Sequence, residues 1–166
     1  YAKLAGKQLS DEELIENYHA ATEEIINAYN SAMEALQADD TLAAEEIASK
    51  AEAAEEETVG KLIDLAIKTM KKNPSSQVAI EALKDIYFMA DADQLEPAID
   101  ALDAELKADD FVKKVTKSLE AKKLTAEGCK FADFIVWQED GNDDSKAALS
   151  DYVGKGKYIL VDFWAS

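Results

Sequence analysis

Apolar residues recur at helical spacing over the first three-quarters of the chain. In the first segment they fall three or four residues apart, which places them on one helix face. Ser10 followed by Glu13 matches a capping box, in which each side chain satisfies a free backbone N–H. The pattern predicts a helix that begins after Ser10 and ends near Asp39 and Asp40. Its apolar face comprises Leu14, Tyr18, Ile25, Tyr29, Met33 and Leu36.

A second helix is predicted to begin with Thr41 as its N-cap and to run to about Lys72. Pro74 then interrupts the pattern, because a proline disfavours helical geometry in the residue before it. Ser75 and Ser76 follow, and a serine side chain can cap the next helix. The sequence therefore predicts a third helix just after this point.

Two more helices are predicted before residue 125. The fourth should begin with Asp93 as its cap, with Pro97 tolerated in the first turn. The fifth should be capped by Asp109 or Asp110, where an acid also interacts favourably with the helix dipole. The apolar faces of helices three to five are, in order, Val78, Ile80, Leu83, Ile86, Tyr87 and Met89; Leu95, Ile99, Leu102 and Leu106; and Phe111, Val112, Val115 and Leu119.

The composition changes after residues 125–128. Residues 130–137 are rich in aromatic and β-branched side chains, which predicts a strand, and E-D-G-N at 139–142 is a turn signal. Residues 149–152 are expected to form a short helix or turn. Residues 158–164 are apolar on both faces, which predicts a strand buried in the centre of a mixed or parallel sheet.

The predicted fold class is therefore mainly α. A helical domain of about five helices is expected at residues 8–125, followed by the first strands of an α/β domain at residues 126–166.

The net negative charge of the chain argues against two classes of binding partner. The 166 residues include 35 acidic side chains against 18 lysines, with no arginine, and the net charge is −17. Phosphate-backbone binding needs clustered Lys and Arg, so the composition argues against nucleic acid, and an anionic membrane surface would repel the chain. No stretch approaches the roughly 20 apolar residues of a membrane span. With 48% hydrophobic residues, the chain has enough apolar material for a core.

Metal and cofactor chemistry has little support in the sequence, and no cofactor is expected. One Cys and one His argue against a disulfide framework, a Cys-rich zinc site and a nitrogen-rich metal site. His19 lies at helical spacing from Glu16 and Glu23, but a solvated or locally paired His is the expected arrangement. The acidic clusters at 45–46 and 55–57 lack the spacing of an EF-hand loop and are interpreted as solvated faces.

Two further features invite a chemical interpretation. Cys129 is the single thiol; it could join two chains in an oxidising compartment, and the alternative is an inert Cys. The G-K-G-K of residues 154–157 lacks Walker spacing and a following helix, so it is interpreted as a turn into a strand. With one His and no nucleophile elbow, no Ser-His-Asp constellation is predicted.

Three pieces of the C-terminal sequence form an ordered pattern. They are G-C-K-F-A-D-F at residues 128–134, D-G at 140–141, and L-S-D-Y-V-G-K-G-K-Y-I-L-V-D-F-W-A-S at 149–166. This pattern resembles the opening of a thioredoxin-like domain of the bacterial TlpA/ResA and AhpC/TSA type, over about a quarter of the chain. The helical region with N-P-S-S at 73–76 is similar, more weakly, to the insert that precedes such domains in Bacteroidetes envelope proteins.

The resemblance implies a thiol–disulfide oxidoreductase of the periplasm or cell envelope, with a protein disulfide or dithiol as its partner. In that family the next residues are typically W-C-x-P-C, so the redox pair is expected beyond Ser166. Dithiol exchange needs two thiols, and the chain itself is therefore expected to be inactive. A first residue of Tyr1 rather than Met indicates a processed or excised segment.

Asp162 is the candidate catalytic residue that the resemblance implies. In the family, the acid of V-D-F-W lies beneath the C-x-x-C and helps proton transfer involving the resolving thiol. A carboxylate inside an apolar strand is costly unless paired or protonated, and such acids cluster at active sites. Without the partner thiols, Asp162 is expected to face solvent on an edge strand. Phe163 and Trp164 are predicted packing residues.

An alternative function belongs to another class: a helical protein-interaction or dimerisation module with no redox role. Its acidic exterior would steer basic partners, and uncovered apolar residues would form a contact surface. The apolar run at 158–164 is expected either to be mobile or to pair with residues 131–137, a pairing that a homodimer would also allow.

Overall fold

A computed structural model of the chain describes residues 9–124, 128–137, 146–156 and 158–162. As the sequence predicts, the protein is mainly α, with only a short two-stranded antiparallel sheet among the described residues. The helices and strands are α1 (Asp11–Gln37), α2 (Ala44–Lys72), α3 (Gln77–Ile86), α4 (Ala92–Asp100), α5 (Ala104–Lys107), α6 (Asp110–Leu124), β1 (Ile135–Trp137) and β2 (Lys146–Ala148).

The chain divides into two compact units whose boundary lies inside α6, between Leu119 and Glu120. This is earlier than the predicted change of domain at residues 125 and 126. The first unit is helical and the second contains the sheet. A thioredoxin-like identity for the second unit remains a prediction.

The capping box at Ser10 is confirmed as the start of α1. The hydroxyl of Ser10 accepts a hydrogen bond from the N–H of Glu13 at 3.2 Å, and the Glu13 carboxylate accepts one from the N–H of Ser10 at 2.9 Å. The helix ends at Gln37, two residues before the predicted end at Asp39. Tyr18 is the buried residue of its apolar face, and Leu14 packs against the same core.

The prediction that Thr41 caps the second helix is wrong. α2 begins at Ala44, with Ala43 at the N-cap position and no side-chain cap. Instead, the hydroxyl and the N–H of Thr41 both donate to Oδ1 of Asp39 in the loop between the helices. A threonine side chain readily forms such local bonds, and here the loop uses it rather than the helix.

α3 is the most deeply buried element, because six of its ten residues are buried. Ser76 is confirmed as its N-cap, since the Ser76 hydroxyl accepts from the N–H of Val78 at 3.3 Å. The same hydroxyl donates to Oδ1 of Asp11 at 2.6 Å. The start of α3 is therefore held against the start of α1.

The predicted fourth helix is in fact two helices with a different start. Its N-cap is Asp91 rather than Asp93, so Pro97 is the sixth residue of α4 and lies beyond the first turn. α4 ends at Asp100 because the N–H of Asp103 donates to the carbonyl of Pro74 at 2.9 Å instead of continuing the helix. The predicted apolar face is still buried throughout, at Leu95, Ile99, Leu102 and Leu106.

Asp109 caps α6, which decides between the two predicted candidates. Its Oδ1 accepts from the N–H groups of Phe111 and Val112 at 2.8 and 3.3 Å. Val112 and Val115 are buried, and Phe111 is partly buried against the core.

The second unit contains an antiparallel hairpin. β1 pairs with β2, with Ile135 opposite Ala148 and Trp137 opposite Lys146. β1 is shorter than the strand predicted for 130–137, β2 was not predicted, and the predicted turn at 139–142 lies outside the described residues. A 3₁₀ helix at Leu149–Asp151 follows β2 and confirms the short helix expected there.

For residues 158–162 the prediction of a buried central strand is wrong. They form no strand and all are exposed, with Tyr158 at 93% and Leu160 at 95%. They do not pair with β1, whose partner is β2 of the same chain. A strand is buried on both faces only where neighbouring elements cover it, and the described part of the second unit offers two strands of three residues each. Residues 163 and 164 lie outside the described part.

A long-range hydrogen bond joins α1 to α3. The hydroxyl of the buried Tyr18 donates to Oδ2 of Asp85 at 2.9 Å. Burial, and then the bond to the carboxylate, raise the pKa of the Tyr18 phenol well above its ordinary value. The folded state therefore favours the protonated phenol more strongly than the unfolded state does.

This shift predicts a loss of stability at alkaline pH. The contribution of Tyr18 is complete below the ordinary tyrosine pKa of about 10 and declines as the pH rises above it, because the unfolded chain ionises first. In Tyr18→Phe the free energy of unfolding should start lower by about 1 kcal/mol and fall less steeply above pH about 10. Urea denaturation followed by circular dichroism at several pH values measures both effects.

The exposed Tyr158 provides the matched control, since Tyr158→Phe removes the same hydroxyl without removing this bond. It should reproduce the pH profile of the unsubstituted chain. Parallel profiles for all three proteins would contradict the assignment of the alkaline loss to Tyr18.

Candidate functional site

The second unit carries an apolar groove of about 560 Å³. One wall comes from the hairpin region, with Phe134 and Val136, and another from Leu149 and Tyr152 of the turn after β2. Residues 158–162 also line it. The groove therefore brings together parts of two sequence pieces that carry the resemblance, and it is the candidate functional site.

The exposure of residues 158–161 alternates along the segment. Tyr158 and Leu160 are more than nine-tenths exposed, whereas Ile159 and Val161 are each 41% exposed. Successive side chains of an extended chain point to opposite sides. The segment therefore has one partly covered side, with Ile159 and Val161, and one side open to solvent.

Asp162 lies on the groove and is exposed. A solvent-facing Asp is the expectation for this chain, although the residue does not lie in a strand. Its role as a proton relay remains a prediction, because that role needs two thiols and Cys129 is the single Cys of the sequence.

Hydrogen bonds to two aspartates hold the turn after β2 against the hairpin. Asp133 Oδ1 accepts from the N–H of Ser150 at 2.9 Å, and Asp151 Oδ2 accepts from the N–H of Ala148 at 2.8 Å. The backbone adds a bond from the N–H of Leu149 to the carbonyl of Phe134 at 3.0 Å. These contacts position one wall of the groove.

Asp133 is the positioning residue that sequence reasoning missed. Hydrogen bonds from the side chain and the N–H of Ser150 hold the pKa of the Asp133 carboxyl below its ordinary value. The sequence showed an acid inside the G-C-K-F-A-D-F piece. It did not show the partner of that acid, because Ser150 lies 17 residues away along the chain.

Cys129 does not line the groove. It is a free, exposed thiol whose Sγ lies 3.4 Å from the carbonyl oxygen of Lys123. Its exposure permits a disulfide between chains, and it leaves the inert alternative open as well.

The other candidates from the sequence do not assemble a site. His19 is exposed, with its ring 5.8 Å from that of Tyr18, and the described ranges contain no group of three His, Cys, Asp or Glu placed to hold a metal ion. The clusters at 45–46 and 55–57 are solvated faces, as predicted. Residues 154–156 form the predicted turn, with Gly154 at φ 85°, but residues 158–162 after it are not a strand.

Comparison of the chain with protein-family models, curated proteins and solved structures finds no match. Over the ranges that the structure describes, no helix has the length and apolar character needed to cross a membrane. The groove and the sequence pieces that form it are therefore the features that bear on function.

The Ser150 contact predicts the titration of Asp133. Its carboxyl should titrate below the ordinary Asp value of about 3.9 in the folded chain and near that value in urea. The stability that the ionised Asp133 carboxylate gives to the turn should accordingly be complete above about pH 4. It should be lost as the pH falls through the folded-state pKa of Asp133. Nuclear magnetic resonance of the Asp carboxyl carbons measures this directly.

Ser150→Ala removes the hydroxyl and keeps the N–H. The pKa of Asp133 should then move part of the way back toward its ordinary value. An unchanged titration in this variant would show that the Ser150 side chain does not hold the carboxylate.

Proposed function

We propose that this chain supplies a helical region and the opening of the redox domain of a thioredoxin-like thiol–disulfide oxidoreductase. The observation that carries the proposal is the apolar segment at residues 158–161, one side of which is open to solvent beside the hairpin. This segment begins the string Y-I-L-V-D-F-W-A-S, the most specific part of the resemblance. Further strands of a thioredoxin-like sheet would cover its open side.

Contacts between the matched sequence pieces support the proposal. Phe134 and Asp133 belong to the first piece, and their partners Leu149 and Ser150 belong to the last. The intervening strands β1 and β2 pair antiparallel, and the D-G of residues 140–141 falls between them in the sequence. Pieces that resemble one family in sequence thus also meet within one unit.

In the complete protein, the first cysteine of the C-x-x-C would attack a partner disulfide as a thiolate and release one partner thiolate. The second cysteine would then lose its proton, attack the mixed disulfide and release the other partner thiolate, so that two electrons pass to the partner. Asp162 would accept and return the proton of the second thiol, as the resemblance implies. The reverse sequence would oxidise a dithiol partner by the same steps.

The proposed location is the periplasm or cell envelope. It rests on the resemblance, and an oxidising compartment suits a protein that exchanges disulfides. The proposed partner is a protein disulfide or dithiol.

A second candidate function is a helical protein-interaction or dimerisation module with no redox role. One observation favours it: no residue between 21 and 58, in the outer parts of α1 and α2, is buried. A pair of long helices with so little cover offers a surface to another molecule.

The redox proposal predicts the sequence beyond Ser166 and the effect of one substitution. The coding sequence should continue with W-C-x-x-C or a peroxidatic Cys variant, and the extended protein should reduce the disulfides of insulin. Asp162→Asn should slow that reaction by about tenfold or more, because a positioned proton acceptor is lost. Turbidity of the reduced insulin chains measures the rate.

Asp64→Asn is the matched control, since it removes an exposed carboxylate of α2 outside the groove. It should leave the rate unchanged. A continuation without cysteines would refute the redox proposal, and equal rates for the two variants would refute only the role of Asp162.

A further inference from the structure

α1 and α2 extend well beyond the helices that cover them. At a rise of about 1.5 Å per residue, α1 is about 40 Å long, whereas α3 is about 15 Å long. The buried residue of α1 is Tyr18, and those of α2 are Ile63, Ala66 and Met70, all near one end of the pair. Residues 21–58, here called the outer hairpin, contain no buried residue.

A groove of about 460 Å³ lies between the two helices of the outer hairpin. Its apolar lining includes Ile25, Ala28 and Tyr29 from α1 and Ala54 from α2. Glu24 of α1 and Glu57 of α2 line the same groove, so carboxylates stand on both helices. Apolar contacts with acids on either side match an amphipathic helix whose polar face is basic.

The charge of the outer hairpin determines which occupant fits. Residues 21–58 contain eleven acidic side chains and one basic side chain, that of Lys50, which gives a net charge of −10 out of −17 for the whole chain; with Lys61, which also lines the groove, the net charge of residues 21–61 is −9. Lys50 pairs with Glu46 at 2.9 Å. A second copy of this chain would bring the same negative charge to the groove, and like charges oppose such contact. A lysine- or arginine-rich partner would be attracted instead.

We propose that the groove of the outer hairpin binds an amphipathic helix of a partner protein, with the apolar face of that helix on Ile25, Tyr29 and Ala54 and its basic face toward Glu24 and Glu57. The proposal specifies the site and the partner chemistry for the second candidate function. It is independent of the redox proposal, because the groove lies wholly within the helical unit.

Lys61 would compete with a basic partner helix for one carboxylate of the groove. It lines the groove and pairs with Glu57, with Nζ and Oε1 2.6 Å apart. A basic helix must compete with this lysine for the Glu57 carboxylate. Removing the lysine should therefore strengthen binding, whereas removing Glu24 should weaken it.

The test uses the whole chain and a synthetic helical peptide with leucines on one face and lysines on the other. Binding is followed by fluorescence anisotropy of the labelled peptide. Glu24→Gln should raise the dissociation constant by about threefold, and Lys61→Gln should lower it by about the same factor. A rise in salt from about 0.05 to 0.5 M should weaken binding by about tenfold or more.

The matched controls keep the charge change but move it out of the groove. Glu45→Gln and Lys50→Gln alter exposed charges of the same hairpin that do not line the groove. Each should change the dissociation constant by a factor of less than about 1.5. A peptide of the same composition with its leucines scattered around the helix should bind about tenfold more weakly, because it has no apolar face. Circular dichroism of every variant should show an unchanged helix content.

Three outcomes would overturn the proposal. Equal effects of the groove variants and their controls would show attraction to the general charge of the hairpin rather than binding in the groove. Equal binding of the two peptides would show that the apolar residues contribute nothing. A concentration-dependent dimer in sedimentation, lost in Tyr29→Ala, would identify a second copy of this chain as the occupant.

Discussion

Burial of the ten-residue helix α3 is the constraint on which the helical unit depends. Its six buried residues form the centre against which α1 and α2 pack. Burying one large aliphatic side chain contributes about 1.5–3 kcal/mol, whereas one hydrogen bond contributes about 1 kcal/mol net. The burial therefore stabilises the unit, and the polar bonds fix its geometry. Ser76 and Asp85 supply those bonds from the two ends of α3, and both bind α1.

Local signals in the sequence predicted some helix starts and missed others: Thr41 and Asp93 were expected as caps, whereas Ala43 and Asp91 hold those positions. Ser10, Ser76 and Asp109 cap their helices through N–H groups two or three residues away. The pattern located Ser10 outright and narrowed each of the other two caps to a pair of neighbouring residues. The helix break after Asp100 depends on a bond between Asp103 and Pro74, which are 29 residues apart. No periodicity contains that information, because the apolar spacing from Leu95 to Leu106 continues across the break.

In the second unit, local strand preference does not decide where the strands form. β2 has the sequence K-A-A, which carries little strand preference, and it exists because β1 lies opposite it. Residues 158–162 carry a strong strand signal and form no strand among the described residues. The resemblance to a family directed attention to this region and to Asp162, whose role stays a prediction. The contacts that build the groove, above all Asp133 with Ser150, required coordinates.

The exposed residues of the two units have opposite effects on association between copies of this chain. An apolar run with unpaired backbone groups is a template for pairing with other chains, and Tyr158 and Leu160 present such a run almost fully exposed. A large net charge opposes that pairing through repulsion between copies. The outer hairpin holds −10 of the −17 charges, so it supplies most of this repulsion. The same carboxylates that would attract a basic helix therefore also disfavour the association of this chain with itself.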